Sequence, residues 1–80
     1  MPATVDELAR VGRARLAAST GLGRELRLSA GLSLREMAAV VGVSQTAIWQ
    51  WENGVFLPSA AHALVYLAAL ERVSGRRLAP

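Results

Sequence analysis

Two helix-length patterns separated by only three residues constrain this chain more than anything else in its sequence. Ser33-Leu-Arg-Glu36 has the form of a capping box: a hydroxyl to accept from the amide three residues on, and a carboxylate to reach back. Leu34, Met37, Ala38 and Val41 follow at helical spacing. Gly42-Val-Ser44 then intervenes. Gly42 can take the positive φ that a sharp stop requires, and Ser44 is a good first residue for a new helix. That helix carries Ile48 and Trp51 inward and closes on Asn53-Gly54. Helices shorter than about 12–15 residues are marginal on their own in water, so both must be held by packing. Ala38 is small where the next helix crosses, Val43 fills the elbow, and Ile48 and Trp51 anchor the second helix to a core. The expected result is two helices at a steep angle, one of them standing proud of the surface.

The flanking sequence supplies the rest of that core. Thr4-Val-Asp-Glu7 is a second capping box. It opens a helix that should fade near Ser19, with Val5, Leu8, Val11 and Leu16 as its apolar face and Arg10 and Arg13 as solvated residues. A second helix should run from about Gly21 to Ser29, with Leu22, Leu26 and Leu28 inward and Gly31 ending it. Ser59 should cap a last helix reaching about Val73. Beyond it, Gly75 and Arg76-Arg77 are expected to fray. No strand alternation, repeat or low-complexity segment occurs. The expectation is one all-α domain over residues 1–80: an N-terminal helix over 1–20, a compact core over 22–73 and a basic tail over 74–80.

Composition narrows the chemistry. With no cysteine and a single histidine, His62, neither a disulfide framework nor a zinc site of the usual kind can be built. There is no nucleophile elbow, phosphate loop or carboxylate cluster, so neither an enzyme nor a cofactor is expected. The N-terminus has no basic start followed by an apolar run, and no window approaches a membrane span. A cytoplasmic, nucleoid-associated location is the expectation. The nine basic residues are all arginine and the net charge is +3. The charge is cancelled in the middle of the chain, where Arg24, Arg27 and Arg35 face Glu25, Glu36 and Glu52. The excess sits at the two ends, so charge alone points only weakly to nucleic acid.

Gly31-Leu-Ser-Leu-Arg-Glu-Met-Ala, Val41-Gly-Val-Ser-Gln-Thr-Ala-Ile, Trp51-Glu-Asn-Gly and Pro58 together resemble the lambda repressor/Cro-like (XRE-type) helix-turn-helix family, over about Leu22 to Leu70. The resemblance implies a compact five-helix domain, here with an additional N-terminal helix. It also implies dimeric binding to operator-like double-stranded DNA and transcriptional regulation in a bacterium or phage. Matching motif positions makes Gln45 and Thr46 the first-turn base readers, with Trp49 and Gln50 one turn on. A glutamine amide can pair bidentately with adenine N6/N7, and Thr46 offers a hydroxyl or a methyl. Ser33, Ser44, Asn53, Arg24 and Arg35 are the candidates for backbone phosphates. Ala38, Gly42, Ile48 and Trp51 fill structural positions, and the family suggests an internal ion pair between Arg27 and Glu52.

Two departures stand out. Leu34 replaces a glutamine that grips a phosphate in many relatives, and Val55-Phe-Leu57 stands where they place Lys or Arg. No Lys or Arg occurs from Ser44 to Leu70. Trp49 keeps three readings: contact with DNA, packing against the connector, or contact with a protein. The last helix is apolar on nearly every side, from Ala60 to Val73, which suggests a homodimer face that includes Tyr66 and Val73 and is extended by Phe56 and Leu57. The N-terminal helix is a rival interface. The alternative function is an antitoxin or accessory subunit that binds a protein partner through the same scaffold.

Overall fold

The computed structural model describes residues 4–78 and contains, in order, α1 (Val5–Ser19), α2 (Leu22–Ser29), α3 (Leu34–Val41), α4 (Gln45–Glu52) and α5 (Ala60–Ser74). There is no strand among the described residues. Met1-Pro-Ala3 and the last two residues of the tail lie outside them.

The helix boundaries follow local chemistry. In α1, Thr4 Oγ1 accepts from the Glu7 amide at 3.1 Å while Glu7 reaches back to the Thr4 amide. In α3, Ser33 and Glu36 form the same reciprocal pair at 3.0 and 2.9 Å. Ser44 and Ser59 cap α4 and α5 by accepting from Ala47 and His62. Gly42 ends α3 at φ +85°. Its amide and that of Val43 both donate to the Ala38 carbonyl, at 2.8 and 3.1 Å, which closes the elbow before Ser44. After α4 it is Gly54, not Asn53, that takes the left-handed conformation.

The centre of the core is Met37, Ile48, Tyr66, Leu67 and Leu70, each fully buried. α5 is the central element, touching α1, α2 and α3. The ring of Trp51, from α4, tilts against Tyr66 with centroids 5.1 Å apart and against His62 at 6.0 Å. A buried ion pair ties α2 to α4: Arg27 Nε and Nη2 donate to the two Glu52 carboxylate oxygens at 2.7 and 2.9 Å, and Nη1 donates to the Leu32 carbonyl at 2.9 Å. The Arg27 pKa is raised above its usual value, first by the hydrogen bond to Glu52.

Several expectations are corrected. α1 buries Val11, Ala14, Ala17 and Ala18, whereas Val5, Leu8 and Leu16 face solvent. Small side chains let α1 lie close along α5, whose Tyr66, Leu67 and Leu70 supply the volume; leucines on that side would hold the helices apart. Leu28 is exposed as well, because its position on α2 is turned away from the side that buries Leu26 and Arg27. Tyr66 is a core residue with no exposed surface, so it cannot line a dimer interface. Its hydroxyl is buried without a hydrogen-bond partner and lies where a Cβ on Gly23 would stand. Arg10 is not simply solvated: it pairs with Glu71 of α5 at 2.7 Å. The segment after Gly75 folds back instead of fraying, with the Leu78 amide donating to Glu71 Oε2 at 2.9 Å. Val73 is half-buried against the core and Phe56 and Leu57 are exposed.

Candidate nucleic-acid interface

α4 is gripped from behind and open in front. Ile48 and Trp51 are buried, and they lie three residues apart on one side of the helix. Gln45, Thr46 and Trp49 occupy the opposite side, and all three are exposed. Together with Leu34, from the first turn of α3, they line a shallow open cleft of about 270 Å³. The cleft lies where the start of α4 meets the start of α3. Gln50 is half-buried and does not line it. The backbone carbonyl of Gln50 instead accepts from the Val55 amide at 2.9 Å, which shapes the exit from α4.

The electrostatics of the two helix starts differ. The first turn of α3 contains Glu36, whose carboxylate binds the Ser33 amide. That hydrogen bond holds the Glu36 pKa below its usual value and places negative charge where a phosphate would otherwise sit. The first turn of α4 holds no acid, so its positive end is not neutralised by a side chain. An anion at this helix start would meet backbone amides and the Ser44 hydroxyl. Asn53 has its amide nitrogen engaged with the Trp49 carbonyl at 2.9 Å, which stabilises the end of α4. Its second N–H and its side-chain oxygen are not used in this hydrogen bond.

The arginines sort by what they already touch. Arg27 is committed to Glu52, Arg10 to Glu71, and Arg77 lies 3.7 Å from the same Glu71. Arg15 donates from Nε to the Pro58 carbonyl at 3.1 Å. Arg24 and Arg35 are exposed and make no ion pair among the described residues. They are the cations available nearest in sequence to the α3–α4 unit. No group of three or more His, Asp or Glu among the described residues could hold a metal. No helix there is long and apolar enough to cross a membrane.

Sequence reasoning placed Gln45, Thr46, Trp49 and Gln50 on one reading face; the structure brings the first three together and leaves Gln50 off the cleft. The same reasoning singled out Leu34 only as a lost phosphate contact and not as a residue lining that same surface. The signal was present: Leu34 follows the N-cap of α3 and so sits at its outer end. The Arg10–Glu71 and Arg15–Pro58 contacts had no signal, because they join residues 61 and 43 positions apart.

A family model described as Helix-turn-helix matches residues 24–78. It covers α2 to α5 except the first two residues of α2, and leaves α1 outside. No curated protein and no solved structure matches the chain.

Proposed function

The chain belongs to the lambda repressor/Cro-like (XRE-type) helix-turn-helix family, and from that premise we propose that it binds double-stranded DNA sequence-specifically as a homodimeric transcriptional regulator of a bacterium or phage. Members of the family are DNA-binding regulators. The observation that carries the proposal is the two-sided character of α4. Buried Ile48 and Trp51 fix its position while Gln45, Thr46 and Trp49 stand exposed beside an acid-free helix start. In this reading Gln45 pairs with adenine and Thr46 contacts a hydrogen-bonding edge or a thymine methyl. The Ser44 hydroxyl and the first α4 amides meet a phosphate, with Arg24 and Arg35 on its neighbours. Two copies set their α4 helices in successive major grooves about 34 Å apart.

The test is selection of binding sites from random duplex DNA, followed by titration of Gln45→Ala. Specific affinity should fall by about 1–3 kcal/mol, with little change on unrelated duplex. Equal loss on both removes Gln45 as a base reader.

A second reading rests on a separate observation: Val55, Phe56 and Leu57 are all exposed, and no cation lies between Ser44 and Leu70. On this reading the scaffold is an antitoxin or accessory subunit and its apolar connector engages another protein. Phosphate contacts dominate duplex affinity and weaken with salt. Absence of measurable duplex binding at low ionic strength therefore favours the protein partner.

A further inference from the structure

We infer that the outer face of α1 is the surface on which two copies of this chain meet, antiparallel, with Leu8 of each copy seated over Gly12 of the other. The observation that opens this is Gly12. Gly21, Gly31, Gly42, Gly54 and Gly75 take positive φ, and Gly23 faces the Tyr66 hydroxyl. Gly12 has neither reason. It lies in the interior of α1, and an added Cβ would meet nothing within 4 Å. Glycine inside a helix is less favourable than alanine. The chain therefore carries a weakness at Gly12 that its own fold does not require. A helix backbone approaching from outside would require it.

The neighbours of Gly12 describe what approaches. Val5, Leu8 and Leu16 share its side of the helix, at spacings of three, four and four residues, and are 81%, 57% and 54% exposed. A two-fold axis crossing α1 near residue 10 maps this stripe onto itself. Leu8 falls opposite Gly12 of the second copy, so a large side chain meets a gap. Val5 falls within about one helical residue, 1.5 Å, of Leu16 of the second copy. Asp6 and Arg13, seven residues apart on the flank of the stripe, are both exposed, and neither is ion-paired among the described residues. The same axis brings each Asp6 beside the other copy's Arg13. Size and charge both complement under one rotation, as a closed two-fold contact demands. That self-complementarity is what selects a second copy as the occupant. One face of a 15-residue helix, about 22 Å long, is smaller than a standard interface of about 800 Å² per partner. The expected dissociation constant is therefore micromolar.

The dimer belongs to the function proposed above, but this interface is tested without DNA, so its failure leaves the reading of α4 intact. Sedimentation equilibrium from low micromolar to millimolar protein should show a reversible monomer–dimer equilibrium. Gly12→Gln should raise the dimer dissociation constant about tenfold or more. In dilute solution, where the protein is monomeric, it should raise the melting temperature, because it replaces a helix-interior glycine. Asp6→Arg should weaken the dimer, and Asp6→Arg with Arg13→Asp should restore it to within about threefold of the original. Val65→Ser, on the exposed face of α5, should leave the equilibrium unchanged. A chain that stays monomeric at millimolar concentration overturns the inference. So does a Gly12→Gln protein that dimerises as tightly as the original, or a charge-swapped pair no tighter than Asp6→Arg alone.

Discussion

Arg27 and Glu52 offer a sharp test of how this domain is held together. Their side chains are 7% and 3% exposed, and two hydrogen bonds of 2.7 and 2.9 Å join them. Removing one partner leaves the other charge buried without compensation, which costs about 3–5 kcal/mol. A domain of this length has a total stability of roughly 4–12 kcal/mol, at 0.05–0.15 kcal/mol per residue. Arg27→Met or Glu52→Leu alone therefore removes a large part of it. Changing both together removes both charges, and replacing a buried pair by apolar groups of similar size is often neutral. The double variant still loses the donor to the Leu32 carbonyl, a hydrogen bond of about 1 kcal/mol. The double variant should then be more stable than either single one, with a coupling of about 3 kcal/mol or more. Urea unfolding followed by far-ultraviolet circular dichroism measures all four proteins. Glu52→Gln, which keeps the shape and loses the charge, serves if Glu52→Leu is unfolded. Losses that add to within about 0.5 kcal/mol would show that the two residues act independently and that the pair does not join α2 to α4.

The other perturbations probe separate parts of the molecule. Tyr66→Phe removes a hydroxyl that is buried with no partner, so it should leave stability unchanged or raise it by about 1 kcal/mol in a thermal melt. Gly23→Ala places a methyl against that hydroxyl and should cost about 1–3 kcal/mol; if Tyr66→Phe recovers none of this, the close approach is not the cause. Glu36 has its pKa lowered by the hydrogen bond to the Ser33 amide. Its contribution is therefore present above the unfolded carboxylate pKa and is lost as pH falls through the lower folded value. Melts of Glu36→Gln and the original protein should accordingly differ at pH 7 and converge in strong acid. Trp49 is 48% exposed and Trp51 4%, so acrylamide should quench one tryptophan readily and the other poorly. Selected duplex should protect the accessible one, and unchanged quenching argues against contact at Trp49.

The helix-turn-helix unit was legible because its determinants are local. Two serine caps, one capping box, Gly42 and the inward pair Ile48 and Trp51 all lie within about 20 residues of one another. The orientation of α1 was not legible. Its sequence presents two apolar sides, one of Val11 and alanines and one of Val5, Leu8 and Leu16. Hydrophobicity favours the leucines, and closeness to α5 favours the alanines. Only the partner helix decides between them, and that partner is far away in the chain. The same holds for Tyr66, which looked like one apolar residue among many on α5. Its position in the core is set by Trp51 on one side and Gly23 on the other. The inward side of α4 could be read from spacing and its outward residues from the family resemblance, whereas the commitment of Arg10 to Glu71 could be read from neither.

The contact between α1 and α5 also sets the order in which the molecule can assemble. It is the most extensive helix pair in the fold, and it joins the first element to the last. At translation rates of about 5–20 residues per second, α1 leaves the ribosome several seconds before α5 is available to cover it. During that interval both of its apolar sides are open, the alanine side temporarily and the leucine side until another surface meets it. The domain therefore completes its core only when the end of α5 emerges. A chain arrested before Leu70 lacks the main cover of α1 and can bury it only in part, against α2 and α4.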